Sequence, residues 1–126
     1  MPDANPTFEL ARRFIGAVEV GDIEAARACL APDAGIWHNF DDKTQTVDEN
    51  LALPEWMMRS ADARRYEITR LEEIAGGYLQ QHVLRITSRR GEELVMHACV
   101  VVHVKDGRIQ RIEEYLDPAP AARLSS

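Results

Sequence analysis

The chain has 126 residues, 45% of them hydrophobic and 29% charged, with a net charge of -6 and two cysteines. A chain of this length buries roughly two-thirds of its unfolded surface, enough for one domain (residues 1–126) with a core and a cavity, and its composition excludes the disordered and fibrous classes. The acidic balance argues against nucleic acid, since Arg12-Arg13, Arg64-Arg65 and Arg89-Arg90 are dispersed among carboxylates; no apolar run approaches the ~20 residues of a membrane span, and MPDANP has no leader pattern, so a cytoplasmic protein without a membrane partner is expected.

Asn5-Pro6 offers an N-cap followed by proline at the first helical position, and Phe8, Ala11, Phe14, Ile15 and Val18 recur at helical spacing, so a first helix runs to about Val20. Gly21 can close it in the left-handed conformation, and Asp22 caps a second helix with Ile23, Ala26 and Leu30 as its apolar stripe. Pro32-Asp33 stops that helix. The run AGIWHNF, residues 34–40, then reads as one short strand leading into the polar loop 41–45.

Thr46-Val47-Asp48-Glu49 has capping-box spacing, which starts a third helix near Val47 with Leu51, Leu53, Trp56 and Met57 inward. Pro54 is expected to kink or divide it near Leu53. Residues 64–75 alternate imperfectly through Tyr66, Ile68, Leu71 and Ile74, as a strand with a bulge near Glu72 would. Residues 78–88 alternate more regularly, with Gln80, His82, Leu84 and Ile86 on one face.

A turn at Arg89-Arg90-Gly91-Glu92 leads into residues 94–104, a run so continuously apolar that both faces are expected to be covered. The face carrying Met96, Ala98 and Val100 is assigned inward, which leaves His97 outward. Lys105-Asp106-Gly107 supplies the last hairpin turn, and residues 108–116 form a final strand with Ile112 and Leu116 toward the core and Glu114 between them. Residues 119–126 are expected to be a loose tail on an ordered body of about 5–118. This order predicts an α+β domain: one cone-shaped, curved antiparallel sheet wrapped around three N-terminal helices, with an open mouth.

Three segments carry a family resemblance: RRFIGAVEVGDIEAARACLAPDAGIWHN at 12–39, TVDENLALPEW at 46–56, and DGRIQRIEEYLDP at 106–118. They resemble the nuclear transport factor two-like superfamily, which includes SnoaL-like polyketide cyclases, ketosteroid isomerases, limonene epoxide hydrolases and scytalone dehydratases. The resemblance implies a SnoaL-like, cystatin-like α+β barrel. Laid on the isomerases without gaps, His38 falls at the catalytic aspartate base and Phe14 at the oxyanion tyrosine, so that hydroxyl is missing and steroid isomerisation by that route is not expected. The epoxide hydrolases place Glu114 at a catalytic aspartate, His82 at an arginine and Leu84 at their second aspartate. Scytalone dehydratase has a catalytic histidine at the position of His82, and His97 is offered for its second.

Read from the residues alone, His38 is a proton carrier near neutral pH or else a capping histidine, and Asn39 beside it is placed to bind a substrate oxygen. Gln80 and His82 on an apolar strand face need partners, each other or a neighbouring strand, unless they line a wet cavity. Glu114, if inward, needs a cationic partner such as His82; if outward, it pairs with Arg108 or Arg111. His97, Cys99 and His103 share a face without metal-ligand spacing, so no metal is expected, and Cys29 and Cys99 are read as reduced thiols.

These readings combine into a cofactor-free acid–base enzyme of isomerase, dehydratase or cyclase type, acting on a small hydrophobic, cyclic or polyketide-like molecule. His38 is the expected acid or base, with His82 paired to Glu114. The expected cavity lining is Phe14, Trp37, Asn39, Trp56, Gln80, Leu84, Met96, Ala98, Val100, Ile112 and Leu116. The run Val100-Val101-Val102 implies a homodimer through the sheet. A ligand-binding module without catalysis, or a plain dimerisation domain, is the alternative.

Overall fold

The helical stripes and the alternating strands come together around one sheet in the computed structural model, which describes residues 5–125. In chain order the elements are α1 (Pro6–Val20), α2 (Ile23–Ala28), β1 (Leu30–His38), β2 (Lys43–Gln45), α3 (Val47–Ser60), β3 (Ala61–Ile74), β4 (Gly77–Ser88), β5 (Glu93–Lys105) and β6 (Arg108–Leu116). A 3₁₀ helix, Ala119–Ser125, follows. The expectations that touch residues 1–4 and 126 lie outside the described residues.

The sheet order is β2-β1-β6-β5-β4-β3. This is α+β, as the order of elements predicts, with two corrections to the expected sheet. It is mixed rather than wholly antiparallel, because β1 runs parallel to β6. It is also open rather than a barrel, since β2 and β3 are its two edges. The β3–β6 meander is built from hairpins; β1 joins it through the long crossover that contains α3, and a crossover of that kind permits parallel pairing.

Local chemistry explains the helix ends. Asn5 Oδ1 accepts from the amides of Thr7 and Phe8 at 2.9 and 3.3 Å. Gly21 closes α1 at φ 74°, and Asp22 accepts from Ala25 N at 3.1 Å. Thr46 and Glu49 form the reciprocal capping box, at 3.2 Å and 2.8 Å.

Four boundaries differ from the sequence reading. The second helix ends at Ala28, and Leu30 already belongs to β1. Pro32-Asp33 lie inside β1 instead of before it, within the register shift between Leu30 and Gly35, where proline costs no ladder bond. Helix α3 runs unbroken through Pro54, because Leu51 and Met57 are both buried on its inner side and packing holds the turn that proline weakens. The irregularities of β3 fall at Ala61/Ala63 and Ile68/Arg70, not near Glu72.

The 3₁₀ helix at Ala119–Ser125 has its own contacts. Asp117 Oδ1 accepts from Ala119 N at 3.0 Å, Pro118 O from Ala121 N at 3.0 Å, and Arg123 pairs with Glu92. The first two contacts are local to this segment, and the third joins it to the β4–β5 turn.

One buried cluster joins α1, α2 and the centre of the sheet, including Leu10, Ala26, Ile36, Tyr78 and Ile109. A smaller one holds Met57, Leu84, Ile86 and Leu94, and Tyr66 packs against both. Cys29 is buried and Cys99 half-buried, both as free thiols. Among the described residues no helix is long and apolar enough to cross a membrane.

Candidate functional site

Strand register builds the site row by row. His38 of β1 stands opposite Glu114 of β6, Glu114 opposite Val100 of β5, and Val100 opposite Gln80 of β4. The next row is Leu116, Ala98 and His82, and the one beyond it Met96, Leu84 and Tyr66. Side chains two apart on a strand share a face, so the three rows form one wall. That wall borders a cavity of about 230 Å³, which Phe14 and Val18 of α1, Pro54 and Met57 of α3, and Ile112 also line. Phe40 and Leu53, 48% and 47% exposed, mark its mouth.

Four polar side chains are buried among the described residues: His38, Gln80, His82 and Ser88. Ser88 closes the β4–β5 turn by accepting from the amides of Arg90 and Glu92. The other three line the cavity, which makes its walls apolar with a few placed polar groups.

Glu114 pairs with His38, not with His82 as expected. His38 Nε2 lies 3.0 Å from Glu114 Oε1, while His38 Nδ1 is buried without a partner among the described residues. Parallel pairing decides this outcome, since it sets His38 directly across from Glu114 and leaves His82 two strands away. His82 instead meets Gln80, with Gln80 Nε2 2.9 Å from His82 Nδ1. With the amide nitrogen as donor, Nδ1 accepts and Nε2 carries the ring proton. Burial lowers the His82 pKa and the charge of Glu114 partly offsets it, so the imidazole stays neutral further into acid than a free histidine.

Two tyrosines in the lining were absent from the sequence-derived site. Burial, then the charge of Glu114, holds the Tyr66 hydroxyl above its ordinary pKa; the nearby Arg64 pulls the other way and Glu19 adds to the rise. Tyr66 stands edge-on to His82, with ring centroids 5.3 Å apart. Tyr78 is raised by burial and by Cys29. The only signal in the sequence was their place on inward-alternating positions, where a tyrosine hydroxyl requires a partner or a cavity.

Three expected lining residues stand elsewhere. Trp37 alternates outward, donates to Asp42 Oδ1 at 2.7 Å and meets Tyr115 edge-on at 5.2 Å. Asn39 extends the β1–β6 pairing, its backbone amide donating to Glu114 O at 3.1 Å and its side-chain oxygen accepting from Leu116 N at 2.9 Å, which ties it to the strand ends outside the cavity lining. Trp56 packs on the Met57–Leu94 cluster. His97 and His103 are exposed on the outer face, where His103 pairs with Glu113 at 3.5 Å. Among the described residues no group of three potential ligands is arranged to hold a metal ion.

A curved, open sheet covered by three helices, with a polar-dotted apolar cavity between them, defines a nuclear transport factor two-like α+β fold. The chain belongs to the SnoaL-like domain family, whose model matches residues 11–112. Solved structures share the fold at low identity. An NTF2-like protein of unknown function from Burkholderia pseudomallei K96243 is 20% identical over 95% of this chain and 97% of its own, with a TM-score of 0.77. An LEH-like epoxide hydrolase of M. tuberculosis is 18% identical over 98% and 91%, with a TM-score of 0.76. IdmH from Streptomyces antibioticus, provisionally assigned as a polyketide cyclase, is 17% identical over 96% and 98%, with a TM-score of 0.81. No curated protein matches the chain.

Proposed function

We propose that this protein is a cofactor-free acid–base enzyme of isomerase, dehydratase or cyclase type, acting on a small apolar cyclic molecule in the sheet-lined cavity. One observation carries the reading: a buried histidine held by a carboxylate through Nε2 and unpartnered at Nδ1. Glu114 Oε1 accepts a hydrogen bond from His38 Nε2–H, the tautomer that leaves the lone pair on Nδ1. The arrangement is that of a carboxylate-oriented imidazole base. A buried polar atom without a partner costs about 1–3 kcal/mol, a cost that a proton or a ligand dipole at Nδ1 removes.

When Nδ1 takes a proton from carbon, His38 becomes an imidazolium beside Glu114, and the pair as a whole is neutral. The same proton can return to another carbon, or to a leaving hydroxyl. Cavity size narrows the substrate. About 230 Å³ holds roughly eight waters at ~30 Å³ each, below the ~300–1,000 Å³ of drug-sized sites, so a one- or two-ring molecule fits better than a long fused polyketide. The epoxide hydrolase and IdmH are compatible with such chemistry on this fold.

The test is exchange of the α-protons of β-tetralone, a two-ring ketone, in deuterated buffer. The native protein should accelerate exchange, and His38→Gln should lower that acceleration by roughly 10²–10⁴. Native protein that binds the ketone without exchanging its protons is a binding module instead.

Assembly as a homodimer is proposed on narrower ground than the sequence offered. Of residues 100–102 only Val101 faces outward, with Leu79 paired beside it and Cys99 next to the exposed Tyr115. A second copy covering this patch gives twice 14.2 kDa in light scattering, and a 14.2 kDa particle at micromolar concentration contradicts it.

A further inference from the structure

A small apolar molecule enters and leaves a cavity where the wall yields most easily, and the part that yields is the one held by the fewest ties. Most of this wall is well tied. Strands β4, β5 and β6 each have a neighbour on both sides, α1 buries Leu10, Ala11, Ala17 and Val18, and α3 buries Leu51 and Met57 behind its capping box. The remaining piece comes from the chain after β6, where Pro118 and Ala121 line the cavity. It starts at the rim of the mouth, because Leu116 N bonds Asn39 Oδ1 at 2.9 Å and Phe40 is the next residue of β1's loop.

We propose that residues 117–125 are a gate on the cavity for small hydrophobic ligands, held shut by the ion pair of Arg123 with Glu92 of the β4–β5 turn. The inference rests on the cavity being a ligand site and not on the chemistry assigned to His38. Beyond the fixed point at Leu116, the hydrogen bonds of Ala119 N to Asp117 Oδ1 and of Ala121 N to Pro118 O are both local. None of the side chains described in the 3₁₀ helix is buried, and its seven residues exceed the three or four that such a helix ordinarily sustains.

The far end is held differently. Arg123 pairs with Glu92, and the Arg90 guanidinium donates to Arg123 O at 3.3 Å. The turn that presents both partners is firm: buried Ser88, which the proposed chemistry does not use, accepts from the amides of Arg90 and Glu92 at 3.3 and 3.1 Å, and Gly91 turns between them at φ 81°. The pair itself is wet, with side chains 61% exposed for Arg123 and 33% for Glu92. An ion pair in that setting is weak and is screened by salt. A firm receiver and a weak bond are what a latch requires, since a strong bond would not release. Closed, the segment completes the wall with Pro118 and Ala121; open, it removes them and widens the mouth.

The probe is tetralin, the two-ring hydrocarbon that lacks the carbonyl of β-tetralone, and its association and dissociation rates are read by NMR exchange spectroscopy on the full chain. Glu92→Gln keeps the shape of the latch and removes its charge. It should raise both rates by the same factor, roughly 1.5- to 5-fold, and leave Kd unchanged, because the latch acts alike on free and loaded protein. Arg123→Gln should do the same, and the double variant should be no faster than either single one, since all three break one pair. Added salt should speed exchange in the native protein and not in Glu92→Gln. Rates that salt and both substitutions leave at their native values overturn the gate. So does faster dissociation with a matching loss of affinity, which marks a fixed piece of wall, and so does a native protein that takes up no tetralin. If the substitutions speed tetralin exchange while the native protein exchanges no β-tetralone protons, the catalytic reading falls and the gate stands.

Discussion

His38 Nε2 lies 3.0 Å from Glu114 Oε1 because the two residues are direct partners across the parallel pair of β1 and β6. The contact is thus set by strand register rather than by a flexible side chain reaching across a cleft. Glu114 is the less buried of the two, with its side chain 23% exposed against 6% for His38.

Glu114→Gln should keep the shape of this contact and lose its charge. The amide can hold the imidazole in either tautomer and cannot balance an imidazolium. Exchange of β-tetralone protons should fall by roughly 10²–10⁴ while tetralin binds as before. Undiminished exchange in Glu114→Gln shows that His38 works without its carboxylate.

Stability should depend on pH through His82. Its folded-state pKa lies below the unfolded value of ~6.5, so as pH falls the unfolded chain takes up the proton first. The contribution is fully present above pH ~6.5 and is lost as pH drops toward the folded value. Urea unfolding at a series of pH values should show this slope in the native protein, and His82→Phe should flatten it. Equal slopes in the two proteins contradict the burial argument.

Two glycines make opposite predictions. A Cβ at Gly77 would lie 1.8 Å from Val102 O on β5, a collision with backbone that no rotamer relieves, so Gly77→Ala should destabilise by at least about 1–3 kcal/mol. A Cβ at Gly16 meets nothing within 4 Å inside α1, and Gly16→Ala should stabilise by about 0.4–1 kcal/mol. Denaturation midpoints that move in the same direction for both sink this account of close packing at the β3–β4 turn.

Much of the fold was legible because its signals are local. Asn5, Gly21, Asp22 and the Thr46–Glu49 box mark helix ends through bonds within a few residues, and the period-two alternation from Gln80 to Ile86 orients β4 without reference to a neighbour. Non-local pairing was not legible. That β1 lies parallel to β6 depends on which strand a chain end finds after a crossover, and the identity of Glu114's partner depends on it in turn. Pro32 and Pro54 misled for a related reason: each is a breaker by local rules and is tolerated by tertiary context, one in a bulge and the other in a packed helix. Tyr66 was read only as an apolar strand position, because a bulge at Ile68/Arg70 blurs the alternation that would have aligned it with His82.

The central claim is that His38 Nδ1 moves a proton. Its most direct test is the pH profile of kcat/KM for β-tetralone proton exchange in the native protein and in His38→Gln, which cannot carry a proton. The account predicts a native profile that rises with pH as an imidazole loses its proton, and a variant in which the rate is lowered by roughly 10²–10⁴ and the rising limb is gone. A His38→Gln protein that keeps both the native rate and the native limb would contradict it.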